Sequence, residues 1–250
     1  MKIKIDIKGK LMINNLSTGF FENIATIFTD FKYLSMIFEG LKATLIVSVG
    51  AALIGLVLGS LVAFVKITAE ENKHNKWLKI PEILCDVYVT VIRGTPMALQ
   101  LFIMAFVVLT IRNFETVVAI IAFGINSGAY VSENIRAGIM SVDKGQTEAG
   151  RSLGLGSGTT LLGIVVPQGI KNVIPALGNE LIALIKETSI VSMIGMFDLT
   201  QAAKVIGSGQ NLASYFAPMV VVAVFYLAIV YLLAFVIKLI ERRLRQSDNR

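Results

Sequence analysis

A single histidine, His74, and a single cysteine, Cys85, are all the imidazole and thiol chemistry that 250 residues offer. One Cys makes neither an intramolecular disulfide nor a thiolate zinc site, and one His leaves no catalytic triad or histidine metal centre. No acid pair is placed for hydrolysis, so catalytic and metal-ligating residues are expected to be none. Gly154, Gly156 and Gly158 do not make a phosphate loop. No Lys-Ser or Lys-Thr pair follows them, and the Gly-x-Gly-x-x-Gly spacing is absent. The chain is therefore expected to bind no nucleotide itself.

The remaining chemistry lies in polar groups set inside apolar runs, where they are costly and so are candidates for function. Glu187, with Lys186 beside it and Thr188 after it, interrupts one such run. Adjacent helical residues project about 100° apart, so the two charges cannot share one partner simply. Glu187 could meet a cationic group or close a structural ion pair, or the span could be shifted so that both charges reach water. Asn126 and Ser127, with Tyr130 one turn on, could bind a polar ligand or a neighbouring helix. Arg93 precedes Gly94 and Pro96 and marks a broken stretch of helix. Broken backbone is tolerated at membrane depth where protein or a water-filled cavity satisfies it. Glu133 and Arg136 are spaced to pair.

The elements that must hold these groups are membrane helices. Hydrophobic residues make up 55% of the chain and charged residues 16%, against about 25% charged in soluble domains. Disorder is excluded by the same hydrophobicity. Ala43–Val65 runs 23 residues without a charge, enough to cross a bilayer. Similar runs predict five spans, near 41–65, 84–111, 115–138, 176–197 and 215–240. The fourth, interrupted by Glu180, Lys186 and Glu187, also reads as a re-entrant or protein-buried helix. The runs are long and do not alternate, which excludes barrel strands. No secretory signal pattern is evident at the start of the chain. From Phe20 to Phe38 the apolar residues recur at three and four. That spacing predicts either an amphipathic interfacial helix or an early start to the first span.

The net charge of +6 reads as topology rather than nucleic-acid binding. Lys66, Lys73, Lys76, Lys79, Lys144, Arg151, Lys171, Lys238, Arg242, Arg243, Arg245 and Arg250 gather on one side. Arg112, Lys204 and Lys32 mark the other. Lys2, Lys4, Lys8 and Lys10 conflict but lie beyond the reach of the positive-inside rule. The amino terminus is expected outside and the carboxyl terminus in the cytoplasm. Small residues recur every four positions at Ala51, Gly55, Gly59 and Ala63, and at Gly124, Gly128 and Ser132. They predict close helix packing, within the chain in preference to a dimer seam.

The third connection, about 139–175, is too long for an ordinary loop. Gln146–Leu153 predicts two helical turns stopped at Gly154, and Pro167 and Pro175 bracket a further short piece. A cytoplasmic helix of this kind suits docking into a groove on a soluble partner. Glu148 and Arg151 then face that partner, or form a solvated pair worth about 0.2–0.5 kcal/mol.

Glu148-Ala149-Gly150, then Gly154, then Ile164-Val165-Val166-Pro167 resembles the "EAA" loop of importer-type ABC permeases. Gly150 replaces the family's second Ala and Val166 its Leu. Gly40-Leu41-Lys42-Ala43-Thr44-Leu45, Arg93-Gly94-Thr95-Pro96 with Gln100-Leu101-Phe102, Ser127 to Ile139, and Lys186-Glu187-Thr188-Ser189 look like the polar amino-acid branch. The resemblance covers about residues 40–240. It implies an all-α integral membrane protein in the bacterial plasma membrane, not itself an enzyme. An N-terminal segment (1–39) would precede a permease domain (40–240, coupling loop 143–175) and a basic tail (241–250). It implies pairing with a second permease, identical or related, with cytoplasmic ATPase subunits that carry the ATP and magnesium, and with an extracellular binding protein that delivers an amino acid. Glu148, Ala149, Gly150, Arg151, Gly154, Ile164 and Pro167 would couple to the ATPase. Arg93, Asn126, Ser127, Tyr130, Glu187 and Thr188 would line the substrate pathway. Lipid would surround the chain, and no nucleic acid is expected. An ion-coupled secondary transporter is the alternative; it would show internal repeats, and none is clear.

Overall fold

The computed structural model describes residues 8–72, 75–110, 113–209 and 214–246. Lys2, Lys4, Lys73, His74, Arg112 and Arg250 lie outside them, as do the side chains of Lys8, Lys10 and Arg245. Among the described residues every regular element is helical: α1 Lys8–Thr29, α2 Phe31–Glu71, α3 Lys79–Gly94, α4 Met97–Ile103, α5 Glu115–Met140, α6 Lys144–Ser152, α7 Ser157–Thr160, α8 Val166–Glu187, α9 Leu199–Gly207 and α10 Phe216–Gln246. Wide π-helical turns extend α4 over Met104–Val108 and join α7 to α8 over Leu161–Val165.

Four stretches are long and apolar enough to cross a membrane: Phe31–Glu70, Glu115–Met140, Ser157–Ile194 and Phe216–Leu244. A fifth is complete only if Lys76–Gly94 and Met97–Val108, bent by 107° to one another, make one span. The second span expected over 84–111, with a break marked by Arg93, is thus a bent pair that begins further upstream. Its cause is local: Pro96 has no N–H to continue the ladder, and it holds Thr95 extended.

The first span is also longer than its uncharged run. α2 has 41 residues, about 60 Å at 1.5 Å per residue, against a hydrocarbon core of about 30 Å. Hydropathy sees only the apolar middle. The stretch from Phe20 to Phe38 divides at Asp30, whose carboxylate accepts the Lys32 N–H at 2.9 Å and so caps α2. Phe31, Leu34 and Phe38 thus belong to the long helix, and Phe20 to Thr29 to α1. The fourth span begins far upstream of residue 176. Pro167 sits in the first turn of α8, where its missing N–H costs nothing, and Pro175 lies inside the helix instead of closing a short piece. Lys186 and Glu187 consequently end α8; they do not lie at mid-span.

The chain forms two compact units. One comprises the described part of Met1–Leu45 with Ser189–Ile229. Its core gathers Ile27, Tyr33, Ile37, Leu199, Ala203, Ile206, Val221 and Val222. α9 is seated at its N-terminus. Asp198 accepts the N–H groups of Thr200 and Gln201 at 3.0 and 2.8 Å, and Thr44 Oγ1 accepts that of Leu199 at 3.2 Å. Burial pushes the Asp198 carboxyl above its ordinary range, and the two N–H groups oppose that. A side chain at Gly40 would meet the Asp198 carbonyl oxygen at 2.6 Å, which explains the glycine four residues before Thr44.

The other unit, Ile46–Thr188 with Val230 onward, is built on a seam between α2 and α5. The two small-residue ridges face each other. A Cβ at Gly55 would stand 2.7 Å from Ser127 Oγ, one at Gly59 2.6 Å from Val131 Cγ1, and one at Gly124 2.6 Å from Ile54 Cγ2. α8 crosses α5 in the same way, with Gly138 against Val173 and Gly169 against the Ile139 backbone. Packing within the chain therefore uses these ridges, as their spacing suggested.

Overpacking a filled site costs about 1–3 kcal/mol. Gly59→Ala also meets the Gly128 carbonyl at 2.8 Å, which cannot rotate away. Thermal unfolding in detergent is expected to show Gly59→Ala several degrees below the parent. Gly163→Ala, which meets nothing within 4 Å, should stay close to it. Equal melting of the two would refute the seam.

Candidate functional site

Two arrangements in the second unit could do work. The first is an elbow between α5 and α8. Asp143 caps α6, accepting the Gly145 N–H at 2.8 Å. The helix ends in a Schellman turn. Leu155 N–H donates to the Gly150 carbonyl at 3.1 Å, and Gly154 N–H to that of Arg151 at 3.0 Å. Gly154 has φ +79°, a conformation that costs an L side chain roughly 1 kcal/mol or more. The elbow is fastened beneath. Gly150 is buried, and a Cβ there would lie 2.8 Å from Thr160 Cγ2 and 3.1 Å from Ile164 Cδ1. Gln168 donates to Gln146 Oε1 at 3.3 Å, and Asn172 to Ser141 Oγ at 2.9 Å. Glu148, Ala149 and Arg151 are left exposed. Glu148 and Arg151 form no ion pair with each other among the described contacts. The elbow thus offers a rigid, capped helix end with one acid and one base free on its surface.

The second arrangement surrounds the break between α3 and α4. Gln100 closes it. Its amide donates to the Ile92 carbonyl at 2.8 Å and to Thr95 Oγ1 at 2.8 Å, and its oxygen accepts from Asn126 at 3.0 Å. This is the protein satisfaction that broken backbone at membrane depth requires. Arg93, on the last turn of α3, lies 5.3 Å from the centre of the Tyr130 ring, a cation–π distance. It also lies 3.8 Å from Glu133. Glu133 gathers Lys66 at 2.8 Å and Arg136 at 3.2 Å, and Lys66 reaches Asp86 at 3.0 Å. One carboxylate on α5 therefore ties together α2, α3 and its own helix. One and a half turns away, Ser127 donates to Glu180 at 2.9 Å, and Tyr88 donates to the Ile125 carbonyl at 2.6 Å.

The predicted site residues thus separate. Glu148, Ala149, Gly150, Arg151 and Gly154 are brought together in the elbow, with Ile164 packed beneath it and Pro167 opening α8. Of the pathway set, Arg93 and Tyr130 meet each other. Asn126 is 4% exposed and Ser127 0%, and their polar groups are spent on Gln100 and Glu180. Thr188 is buried and donates to the Ile185 carbonyl at 2.7 Å. Glu187 is exposed. Sequence reading missed Gln100 as a splint, Asp86 and Lys66 as partners of the Glu133 cluster, and Glu180 as a partner of Ser127. Glu180 and Asp86 were visible as charges within apolar runs; what each meets was not.

The family described as binding-protein-dependent transport system inner membrane component matches residues 55–246. The arginine transport system permease protein of Bacillus subtilis is 38% identical over 218 residues, covering 86% of this chain and 95% of that protein. The glutamine transport system permease protein of Escherichia coli is 36% identical over 220 residues, covering 85% and 94%. The crystal structure of an amino acid ABC transporter with histidines aligns with a TM-score of 0.77 at 37% identity, covering 85% of this chain and 95% of that one.

The Glu133 cluster has a measurable weight. Glu133→Gln leaves three cations facing Asp86 alone, and losing partly buried charged hydrogen bonds costs about 1.5–3 kcal/mol. Thermal unfolding should fall accordingly. Adding Arg136→Gln should cost less in that background than alone, by about 1 kcal/mol. Strictly additive losses would show that the cluster is not a cluster.

Proposed function

The chain belongs to the binding-protein-dependent transport system inner membrane components, the permease subunits of ABC importers, and on that premise we propose how it works. It is a multi-pass membrane subunit that is not itself an enzyme. It serves uptake of a polar amino acid across a bacterial plasma membrane; relatives named for arginine and glutamine transport support this substrate class. It works with a second permease, identical or related, and an extracellular binding protein. Separate cytoplasmic ATPase subunits hold the ATP and magnesium. Nothing favours the ion-coupled alternative.

The observation that carries the mechanism is the elbow. A nine-residue helix, capped at both ends and bolted through Gly150 to the start of the fourth span, transmits a push without bending. We assign α6 with the 143–175 connection as the piece that the ATPase grips, through Glu148, Ala149 and Arg151. Gly154, Ile164 and Pro167 hold its angle. Closure of the ATPase pair moves this lever, and the spanning helices exchange outward for inward opening as packed bodies. The excess of Lys and Arg beside the 66–79, 144–171 and 238–250 segments supports a cytoplasmic elbow and carboxyl terminus and an outer amino terminus. Residues 1–39 form the preceding segment, 40–240 the permease domain and 241–250 the tail.

Along the pathway, exposed Arg93, Tyr130 and Glu187 touch the moving solute. Buried Asn126, Ser127 and Thr188 fix the walls, chiefly the splinted break at Gln100.

Two measurements test this. Glu148→Ala and Gly154→Pro should still insert but retain the ATPase subunit poorly in a pulldown. Substrate-stimulated ATP hydrolysis should fall tenfold or more; unchanged binding and hydrolysis would reject the lever. Radiolabelled amino-acid uptake should drop strongly for Glu187→Gln and for Asn126→Leu. Full transport by both would remove them from the pathway.

A further inference from the structure

Beside the elbow the second unit holds a hollow that the solute route does not employ and that shares Arg151 with the lever. Its apolar part, 330 Å³, is walled by Leu56 and Phe64 of α2, Ile135 of α5, and Leu162, Ile170 and Leu177 along the fourth span. Its polar part, 180 Å³, is lined by Lys144, Thr147 and Arg151 of α6 and by Ser157, against one carboxylate, Glu70. Ile67, Ile139 and Leu161 belong to both walls, so the two parts adjoin. Lys144, Thr147 and Arg151 recur at three and four residues and share one helix face. Glu148, four residues on from Lys144, is not among the residues that line the hollow. Phe64 and Leu162 are each 64% exposed beside the apolar part, so hydrocarbon can enter from the side.

We propose that this hollow is a phospholipid site. One acyl chain fills the apolar part. An anionic headgroup phosphate sits on Lys144 and Arg151, with the Thr147 and Ser157 hydroxyls donating to its oxygens. Two cations against one carboxylate favour an anion. An apolar hollow adjoining them favours an anion that carries a tail. A protein helix is about 10 Å wide and needs an open groove, whereas a single hydrocarbon chain fits a hollow of this volume. Basic pockets between membrane helices on the cytoplasmic side recognise lipid headgroups on the same grounds. The inference rests on the chain's spanning a membrane with α6 at its surface, and not on which solute is carried. A bound lipid would tether the lever helix to the bilayer.

The test reads lipid contact directly, apart from transport. The full chain, with its ATPase subunits, carries Trp77→Phe and Leu162→Trp, so that the introduced indole beside the apolar part reports. It is reconstituted in bilayers doped with brominated phosphatidylglycerol or brominated phosphatidylcholine. Phosphatidylglycerol should quench half-maximally at about tenfold lower mole fraction. Lys144→Gln with Arg151→Gln should erase that preference; where the pair fails to insert, Lys144→Gln alone should halve it or better. Ser60→Phe, which fills the apolar part from α2, should weaken quenching by both lipids. Equal quenching by the two lipids in the parent, or a preference that survives the basic-residue changes, overturns the headgroup site. Absence of quenching by either lipid overturns the proposal outright.

Discussion

Close approach of α2 and α5 is the contact on which the second unit rests. Lipid tails are as apolar as leucine, so helices in a bilayer gain little from merely hiding hydrophobic surface. They gain from dense packing, and here that density comes from glycines. With Gly55, Gly59 and Gly124 bare, backbone and side chain of the opposite helix come within a Cβ's width. The same seam then carries polar contacts. Lys66 lies seven residues beyond Gly59, two helical turns on, and meets Glu133, nine residues beyond Gly124. The ionic cluster is thus placed by the steric seam; a wider spacing of the helices would carry Lys66 out of reach of its carboxylate.

The remaining architecture follows from satisfying backbone groups where water is scarce. The break at Gly94–Pro96 would strand the carbonyls of Ile92 and Thr95, and one glutamine amide takes both while its oxygen holds Asn126. At the elbow the last carbonyls of α6 are taken by its own Schellman turn, which demands the left-handed residue found at Gly154. In both places a short polar device lets the chain turn sharply without a mobile loop. One turn is splinted by Gln100, and the other displays Glu148 and Arg151.

Much of this was legible in the amino-acid order because membrane physics leaves few options. Apolar runs pointed to the spanning helices, four or five as the bent pair is counted. The small-residue ridges gave the seam, Gly154 gave the end of α6, and Arg93-Gly94-Thr95-Pro96 gave the break. Boundaries were less legible where a helix runs on past its apolar part, as α2 does at both ends, because hydropathy measures lipid contact and not hydrogen bonding. Pro175 misled because proline usually ends a helix, yet α8 accommodates it internally. Roles of polar residues were the least legible. By depth alone Asn126 and Ser127 read equally as ligand donors or as bonds to a neighbouring helix, and only three-dimensional proximity shows Gln100 and Glu180 as their partners. A partner 26 or 53 residues away leaves no local periodicity to detect.

The π-helical turn at Leu161–Val165 sets the winding of everything after it. Such a turn accommodates one residue more than an α turn, which advances the phase of the following helix by about 100°. Side chains before and after it therefore obey two different helical wheels, although the backbone runs on without interruption from Ser157 into α8. Thr160 and Ile164 can point at Gly150 while Gly169 and Val173 point at α5, two targets that a uniform α-helix through the same residues would serve with a different set of faces. That one surplus residue acts as the phase corrector between the short helix packed beneath Gly150 and the long helix that runs against α5.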